Sequence, residues 1–338
     1  MKKIRVLIVD DSLMFREFLK RAISSDENLE VVAVASDPYE ARDKIIEFEP
    51  DVMTLDIELP RMDGIQFLKK LIPQYPIPVI VISAVNKSVF EVLNAGAVDF
   101  IPKPSGNLSV ESFAKELVTK VKIASIAKIN KFRVRPAAPE NTENIENKNR
   151  FIFIGASTGG TEAIFDIIKK FPKDMPPTLI VQHMPAVFTR MYAERLNDNC
   201  QVEVMEAKDG DLVLPGRVLI AAGEYHMKLV KEAGTYKVRC FRGEKVNGHC
   251  PSIDVLFNSA AEIIKDKAIG IILTGMGYDG AKGLLNMRKL GARTIGQDEK
   301  SSIVYGMPKV AYEIGAVEFQ RDLNLIHQII FSILNERH

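Results

Sequence analysis

Short apolar runs alternate with amphipathic stretches along almost the whole chain, and this alternation restricts the fold more than any other feature. Before residue 126 the runs IRVLIV, VVAVA, DVMTL, PVIVIS and DFIP are separated by segments of helical periodicity such as LMFREFLKRAI and GIQFLKKLI. Uniformly apolar strands joined by helices call for a parallel sheet covered on both faces. The pattern stops at NKFRVRPAAPENTENIENKNR, a stretch rich in Asn, Glu and Pro that reads as a linker. It then resumes, with FIFIGA, TLIVQH and AIGIILT as buried strands and TEAIFDIIKKF and AKGLLNMRKLG as helices. Between these, VLPGRVLIAAGEYHMKLVKEAGTYKVRCFRG reads as hairpins with glycine turns. The expectation is two doubly wound α/β domains, over 1–125 and 150–338, joined by a linker over 126–149. The second carries an antiparallel hairpin insertion.

Bulk properties narrow the function without naming it. The 338 residues suit two domains at ~150 residues each. A net charge of +1 provides no general attraction for nucleic acid or a membrane surface. No segment is long and apolar enough to span a bilayer, and the opening MKKIRVLIVDDS is broken by aspartates too early for a signal peptide. Cys200, Cys240 and Cys250 lack CxxC spacing, which fits a reduced compartment and no zinc knuckle, with the cytoplasm as the expected location.

In the first domain, chemistry-bearing side chains fall where strands end. Asp10 and Asp11 follow IRVLIV, Asp56 follows DVMTL, Ser83 closes PVIVIS and Lys103 follows DFIP. In a parallel sheet these ends share one edge, the edge at which open α/β folds bind ligands. Clustered carboxylates repel unless a cation neutralises them, and hard oxygen donors suit Mg²⁺. Each acid alone could be a turn or helix cap; their concentration at strand ends favours a site. Residues 1–125 resemble a response-regulator receiver domain, a flavodoxin-like fold, on VDDS at 9–12, DIELPRMDG at 56–64, SA at 83–84 and PKP at 102–104. The resemblance implies that Asp56 accepts a phosphoryl group from a histidine kinase. It also implies Mg²⁺ held by Asp10, Asp11, Asp56 and the Glu58 backbone carbonyl, with Ser83 and Lys103 contacting the phosphate. Phe100 stands at the family's aromatic switch position, although core packing would account for it equally.

In the second domain GASTG at 155–159 fits the G-x-S-x-G nucleophile elbow, a sharp strand-to-helix turn that presents a serine. Ser157 needs a base, and the base needs an orienting acid. Of five histidines, His183 directly follows the next apolar strand, and Asp279 follows a third, AIGIILT. The order Ser, His, Asp disfavours an ordinary α/β-hydrolase, whose histidine comes last. Two other readings fit the same residues. One is purely structural: Ser157 as a helix cap, His183 as a hydrogen-bonded core histidine, Asp279 as a turn acid. The other takes GMGYDG at 275–280 as a dinucleotide loop with Asp298 as the ribose-binding acid. His226 and His249 could line a cleft or serve structure; Met184, Met205 and Met227 read as packing, and a nucleophilic pairing of Cys250 with His249 is the weakest candidate.

The motifs GASTGGTEA, VQHMPAVFTRMYAERL, AAGEYHMKL, NGHCPSIDVLFNSAA, ILTGMGYDGAKGL and IGQDEKSSIVYGMPKVAYEIGA resemble the catalytic domain of the CheB protein-glutamate methylesterases. With the receiver in front, the resemblance covers nearly everything except the linker. It implies Ser157 as nucleophile, His183 as base and Asp279 as the orienting acid, with backbone amides around Thr158 and Met276 as oxyanion donors. The implied substrates are glutamate γ-methyl esters on cytoplasmic chemoreceptor helices, which release methanol, and in some members receptor glutamines. The implied control is phosphorylation at Asp56, which repositions a receiver lying over the catalytic cleft. Exposed apolar residues on the last receiver helix, from Phe113 to Ile126, are candidates for that interface, although packing into the receiver core explains most of them.

Overall fold

The computed structural model describes residues 2–84, 88–104, 110–129 and 149–336; most of the expected linker lies outside these residues. The chain divides into two compact units, Met1–Pro136 and Ala137–His338. Among the described residues, no helix is long and apolar enough to cross a membrane.

The first unit runs β1 (Ile4–Val9), α1 (Leu13–Ser24), β2 (Leu29–Ala35), α2 (Pro38–Phe48), β3 (Val52–Leu55), α3 (Gly64–Leu71), β4 (Val79–Ser83), α4 (Ser88–Asn94), β5 (Asp99–Pro102) and α5 (Val110–Ser125). Its strands form one parallel sheet in the order β2-β1-β3-β4-β5. Side-chain caps start several helices: Ser12 accepts from the Phe15 amide, Asp37 from Tyr39 and Glu40, Asp63 from Ile65 and Gln66. Each such cap is worth about 1 kcal/mol. Strands β3 and β4 are buried at every position, as helices on both faces require. On α5, Phe113, Leu117, Val121 and Ala124 are buried, and the Phe113 ring packs against Phe15 and Phe18. Val110 and Ile126 are the large apolar residues exposed at its ends. Phe100 is buried, with Lys120 Nζ 5.9 Å from its ring centre.

The second unit contains β6 (Phe151–Ala156), α6 (Gly160–Ile168), β7 (Thr178–Gln182), α7 (Ala186–Asn199), β8 (Glu203–Glu206), β9 (Arg217–Ile220), β10 (His226–Glu232), β11 (Thr235–Phe241), α8 (Ile253–Ile263), β12 (Ala268–Ile272), α9 (Ala281–Lys289), β13 (Arg293–Gln297), α10 (Met307–Glu313), β14 (Phe319–Arg321) and α11 (Leu323–Leu334). Seven strands make a parallel sheet in the order β14-β13-β12-β6-β7-β9-β8, and β10 and β11 pair antiparallel. The two doubly wound sheets and the antiparallel insertion agree with the pattern of the sequence. One part of the insertion differs: the run RVLI is no hairpin strand but β9, which joins the main sheet in parallel with β7 and β8. The β10–β11 hairpin is real, and its turn places Ala233 and Gly234 at φ 47° and 81°, the paired left-handed geometry that suits the twist of a hairpin. Phe153, Leu179, Phe257, Leu284 and Met287 are fully buried in the core shared by the central strands, α8 and α9. Burying one such side chain contributes roughly 1.5–3 kcal/mol.

Candidate functional site

In the first unit, four of the five strands deliver polar groups to one edge. Asp10 and Asp56 are buried, and Lys103 Nζ lies 2.6 Å from Asp56 Oδ2 and 3.0 Å from Asp10 Oδ2. Burial pushes the Asp56 carboxyl up, and the hydrogen bond and charge of Lys103 offset this only in part. Burial also works against the charge on Lys103, but its bonds to Asp56 and Asp10 outweigh that and raise it overall. Asp10, Asp11 and Asp56 each place one carboxylate oxygen within 4.8 Å of the others. This all-oxygen set suits a hard divalent cation that keeps part of its water shell. Ser83 Oγ is buried and has no hydrogen-bond partner among the described residues. The Glu58 amide donates to Asp56 Oδ1 at 3.3 Å.

In the second unit the adjacent strands β12, β6 and β7 bring Asp279, Ser157 and His183 to one sheet edge. Backbone pairing continues one residue past the strands: the Ser157 amide donates to Thr274 O (3.0 Å) and the His183 amide to Ala156 O (3.1 Å). Gln182 Nε2 then donates to the carbonyls of Ser157 (2.9 Å) and His183 (3.1 Å), fixing the two turns to each other. The glycines of the serine loop have steric reasons. Gly159 stands at φ 76°, and a Cβ on Gly160 would lie 2.2 Å from Gln182 Oε1. Helices α6, α7 and α9, which leave this edge, begin at Gly159, Pro185 and Gly280 without a side-chain cap, unlike α1, α2 and α3. Their first amides form the positive end of each helix facing the edge.

His183 Nε2 meets Asp279 Oδ2 at 2.9 Å, while Nδ1 is buried and has no hydrogen-bond partner among the described residues. Because an ionised carboxylate only accepts, Nε2 is the nitrogen that donates in this pair, and Nδ1 is the one not engaged by Asp279. Asp279 itself is buried and receives four further hydrogen bonds, from the Ile253 amide (2.7 Å), Ser252 Oγ (2.8 Å), Asn247 Nδ2 (2.8 Å) and the Asp254 amide (3.3 Å). Burial disfavours its charge, but the bonds from His183, Asn247 and Ile253 outweigh that and hold the carboxyl at about 2. The carboxylate therefore also occupies the N-terminus of α8, where the helix dipole favours an anion. His249 stacks on His183 with ring centres 3.7 Å apart and planes inclined by 7°. Burial and the neighbouring His183 push His249 down to about 4, so it is neutral at pH 7.

The other candidates have structural duties. His226 is buried, accepts from the Ser252 amide through Nδ1 (3.2 Å) and reaches Glu244 O through Nε2 (2.9 Å). Burial pushes the Cys250 thiol up, away from a reactive thiolate. Met227 lies in the core, with Met205 packed against it, and Met184 is buried. Asp298 accepts from the Ser301 amide and hydroxyl, as a turn acid does, and Gly275 of the GMGYDG loop abuts Ser157, leaving a Cβ there only 2.6 Å from Ser157 Cβ. Nothing local in the sequence marks Asn247 and Ser252 as partners of Asp279. The Asn-Gly pair at 247–248 and a serine before IDVLFNSAA are turn and cap signals, but neither says that its side chain ends on an acid.

The profile of the CheB methylesterase family matches residues 152–330, and that of the response regulator receiver domain residues 6–112. The chain is 58% identical over 338 residues to a protein-glutamate methylesterase/protein-glutamine glutaminase 2 of Syntrophomonas wolfei, covering 99% of both. It is 46% identical over 344 residues to a protein-glutamate methylesterase/protein-glutamine glutaminase 1 of Caulobacter vibrioides, covering 100% of both. The crystal structure of the Thermotoga maritima CheB methylesterase catalytic domain superimposes with a TM-score of 0.53 at 37% identity, over 54% of this chain and 98% of that one. With both profiles in order and relatives aligned end to end, the chain belongs to the CheB methylesterase family, with a response-regulator receiver domain ahead of the methylesterase domain.

Proposed function

We propose that this protein is a phosphorylation-activated serine hydrolase of the cytoplasm that removes methyl groups from glutamate γ-methyl esters of chemoreceptors during chemotactic adaptation, and deamidates receptor glutamines. The observation that carries the reading is the His183–Asp279 pair at 2.9 Å, with the second imidazole nitrogen unpartnered at the sheet edge that also presents Ser157. In this reading Nδ1 takes the Ser157 proton as Oγ attacks the ester carbonyl. The tetrahedral oxyanion is received by the Thr158 and Met276 amides. His183 returns the proton to the departing methoxy oxygen, methanol leaves, and water hydrolyses the acyl-enzyme to the glutamate carboxylate by the same proton relay. Losing one oxyanion donor from such a site typically costs ~3 kcal/mol of transition-state stabilisation. The close approach of Gly275 to Ser157 supports a role for the next amide, that of Met276.

In the receiver unit, Asp56 accepts the phosphoryl group of a histidine kinase, and Ser83 and Lys103 hold its oxygens. Asp10, Asp11 and Asp56, with the Glu58 carbonyl, would hold Mg²⁺, which neutralises the charge on the transferring group when bound. Activation requires that the phosphoryl group favour a hydrolytically competent state over an idle one. The test is methanol release from methylated chemoreceptor cytoplasmic fragments, with Mg²⁺ and with or without a small phosphodonor. Release that rises with phosphodonor and vanishes in Ser157→Ala is the expected result. Undiminished release from Ser157→Ala would remove the nucleophile assignment, and none from the folded wild type in either condition would leave the second unit a binding module.

A further inference from the structure

We infer that the tight turn Val246–His249 is a second positioning device for the His183–Asp279 pair, in which Asn247 holds the acid and His249 holds the ring of the base. This rests on the assignment of Ser157, His183 and Asp279 given above. The turn is closed by reciprocal backbone bonds between Val246 and His249, each 3.0 Å. Its centre, Asn247 and Gly248, stands at φ 53° and 83°. A Cβ on Gly248 would meet nothing within 4 Å, so that glycine is required by backbone conformation and not by space. Buried His226 fixes the base of the loop, bonding Glu244 on one side and Ser252 on the other.

Both side chains of the turn that point inward end on the same pair. Asn247 Nδ2 bridges two carboxylates, 2.7 Å from Asp254 Oδ2 and 2.8 Å from Asp279 Oδ1. Asp254 is buried, and its other oxygen accepts from the Gly283 amide at 2.6 Å. Without the amide between them, two buried carboxylates would face each other, and Asp279 would lose a donor that keeps it aimed at His183. His249 covers one face of His183 with a parallel ring. That fixes the imidazole plane and excludes water from the face, so that the hydrogen bond to Asp279 works in a low-dielectric setting. Neither residue has to touch the substrate to act.

The test compares Asn247→Ala, His249→Ala, His249→Phe and His183→Ala in the full-length protein, using methanol release from methylated chemoreceptor fragments. Misplacing catalytic groups by ~1 Å can cost about 100-fold. A fall in kcat of about ten-fold or more in Asn247→Ala and in His249→Ala, with KM within about two-fold, is therefore expected. His249→Phe, which keeps a flat ring, should restore most of the loss. The low-field proton resonance of the His183–Asp279 hydrogen bond should weaken in Asn247→Ala and persist in His249→Phe. Rates within two-fold of wild type in both alanine variants, together with inactivity of His183→Ala, would overturn this inference and leave the site assignment standing. Full activity in His183→Ala would instead remove the site assignment. Should Asn247→Ala fail to fold, the half-buried His249 pair carries the test: equal losses in His249→Ala and His249→Phe would overturn the inference.

Discussion

Two imidazoles and the Asp279 carboxylate are shifted by their surroundings in the direction that costs stability in acid. His249 is pushed down to about 4 by burial and His183, and His327 likewise to about 4 by burial and the charge of Lys170, whose Nζ lies 3.1 Å from its Nδ1. Both are lowered from 6.5 in the unfolded chain, so their contribution to stability is complete above pH 6.5 and is lost as pH falls to about 4. Asp279, lowered from 3.8 to about 2, behaves the same way further down: its contribution is complete above 3.8 and disappears as pH falls through about 2. These two imidazoles should therefore contribute a fall in the thermal unfolding temperature between pH 6.5 and 4, and His249→Phe should remove its part of that fall relative to the wild type. A slope unchanged in the variant would mean that His249 titrates normally in the folded protein. At this scale the sequence marks Ser157, His183 and Asp279 as candidates because each directly follows an apolar strand or its turn, and of these the structure joins His183 and Asp279 by a hydrogen bond. It did not display Asn247 or Ser252 as their partners, because a side chain's partner across a loop depends on dihedral angles that no local pattern specifies.

The central elements explain why the serine loop is rich in glycine. A Cβ on Gly155 would lie 2.4 Å from Ile253 Cγ2, and one on Gly275 would lie 2.6 Å from Ser157 Cβ and 2.7 Å from Met307 Sδ. The loops after β6 and β12 thus pack backbone against backbone, with α8 wedged behind them. Gly275→Ala is expected to displace Ser157 and lower kcat by about ten-fold or more, while costing roughly 1–3 kcal/mol of stability by overpacking. Steady-state kinetics beside thermal melts would check both, and a variant with wild-type kcat would show that the loop yields elsewhere. The central strands were legible because burial on both faces leaves uninterrupted apolar runs. Strand β9 was legible as a strand but not as a member of the main sheet: RVLI sits between a Pro-Gly turn and a Gly-containing loop, the same punctuation that frames a hairpin. Its parallel pairing with β7 and β8 is decided by tertiary packing.

For the molecule as a whole, the order of its two units was visible because a polar, aperiodic stretch separates two runs of βα units. Composition said less: a net charge of +1 carries no signature of a kinase or a receptor. Asp56→Asn tests the link between the units, since it should abolish the rise in methanol release that a phosphodonor produces; a rise that survives would place the acceptor elsewhere. The five hydrogen bonds converging on Asp279 have a consequence for how such a protein can change over generations. On the mechanism proposed above, that carboxylate orients the base and also caps α8, so its loss would be felt by folding as well as by hydrolysis, whereas the Ser157 hydroxyl carries no comparable scaffold bond among the described residues. A descendant that abandoned hydrolysis and kept only signal reception should therefore shed the serine early and retain the aspartate, a fossil of catalysis preserved by architecture.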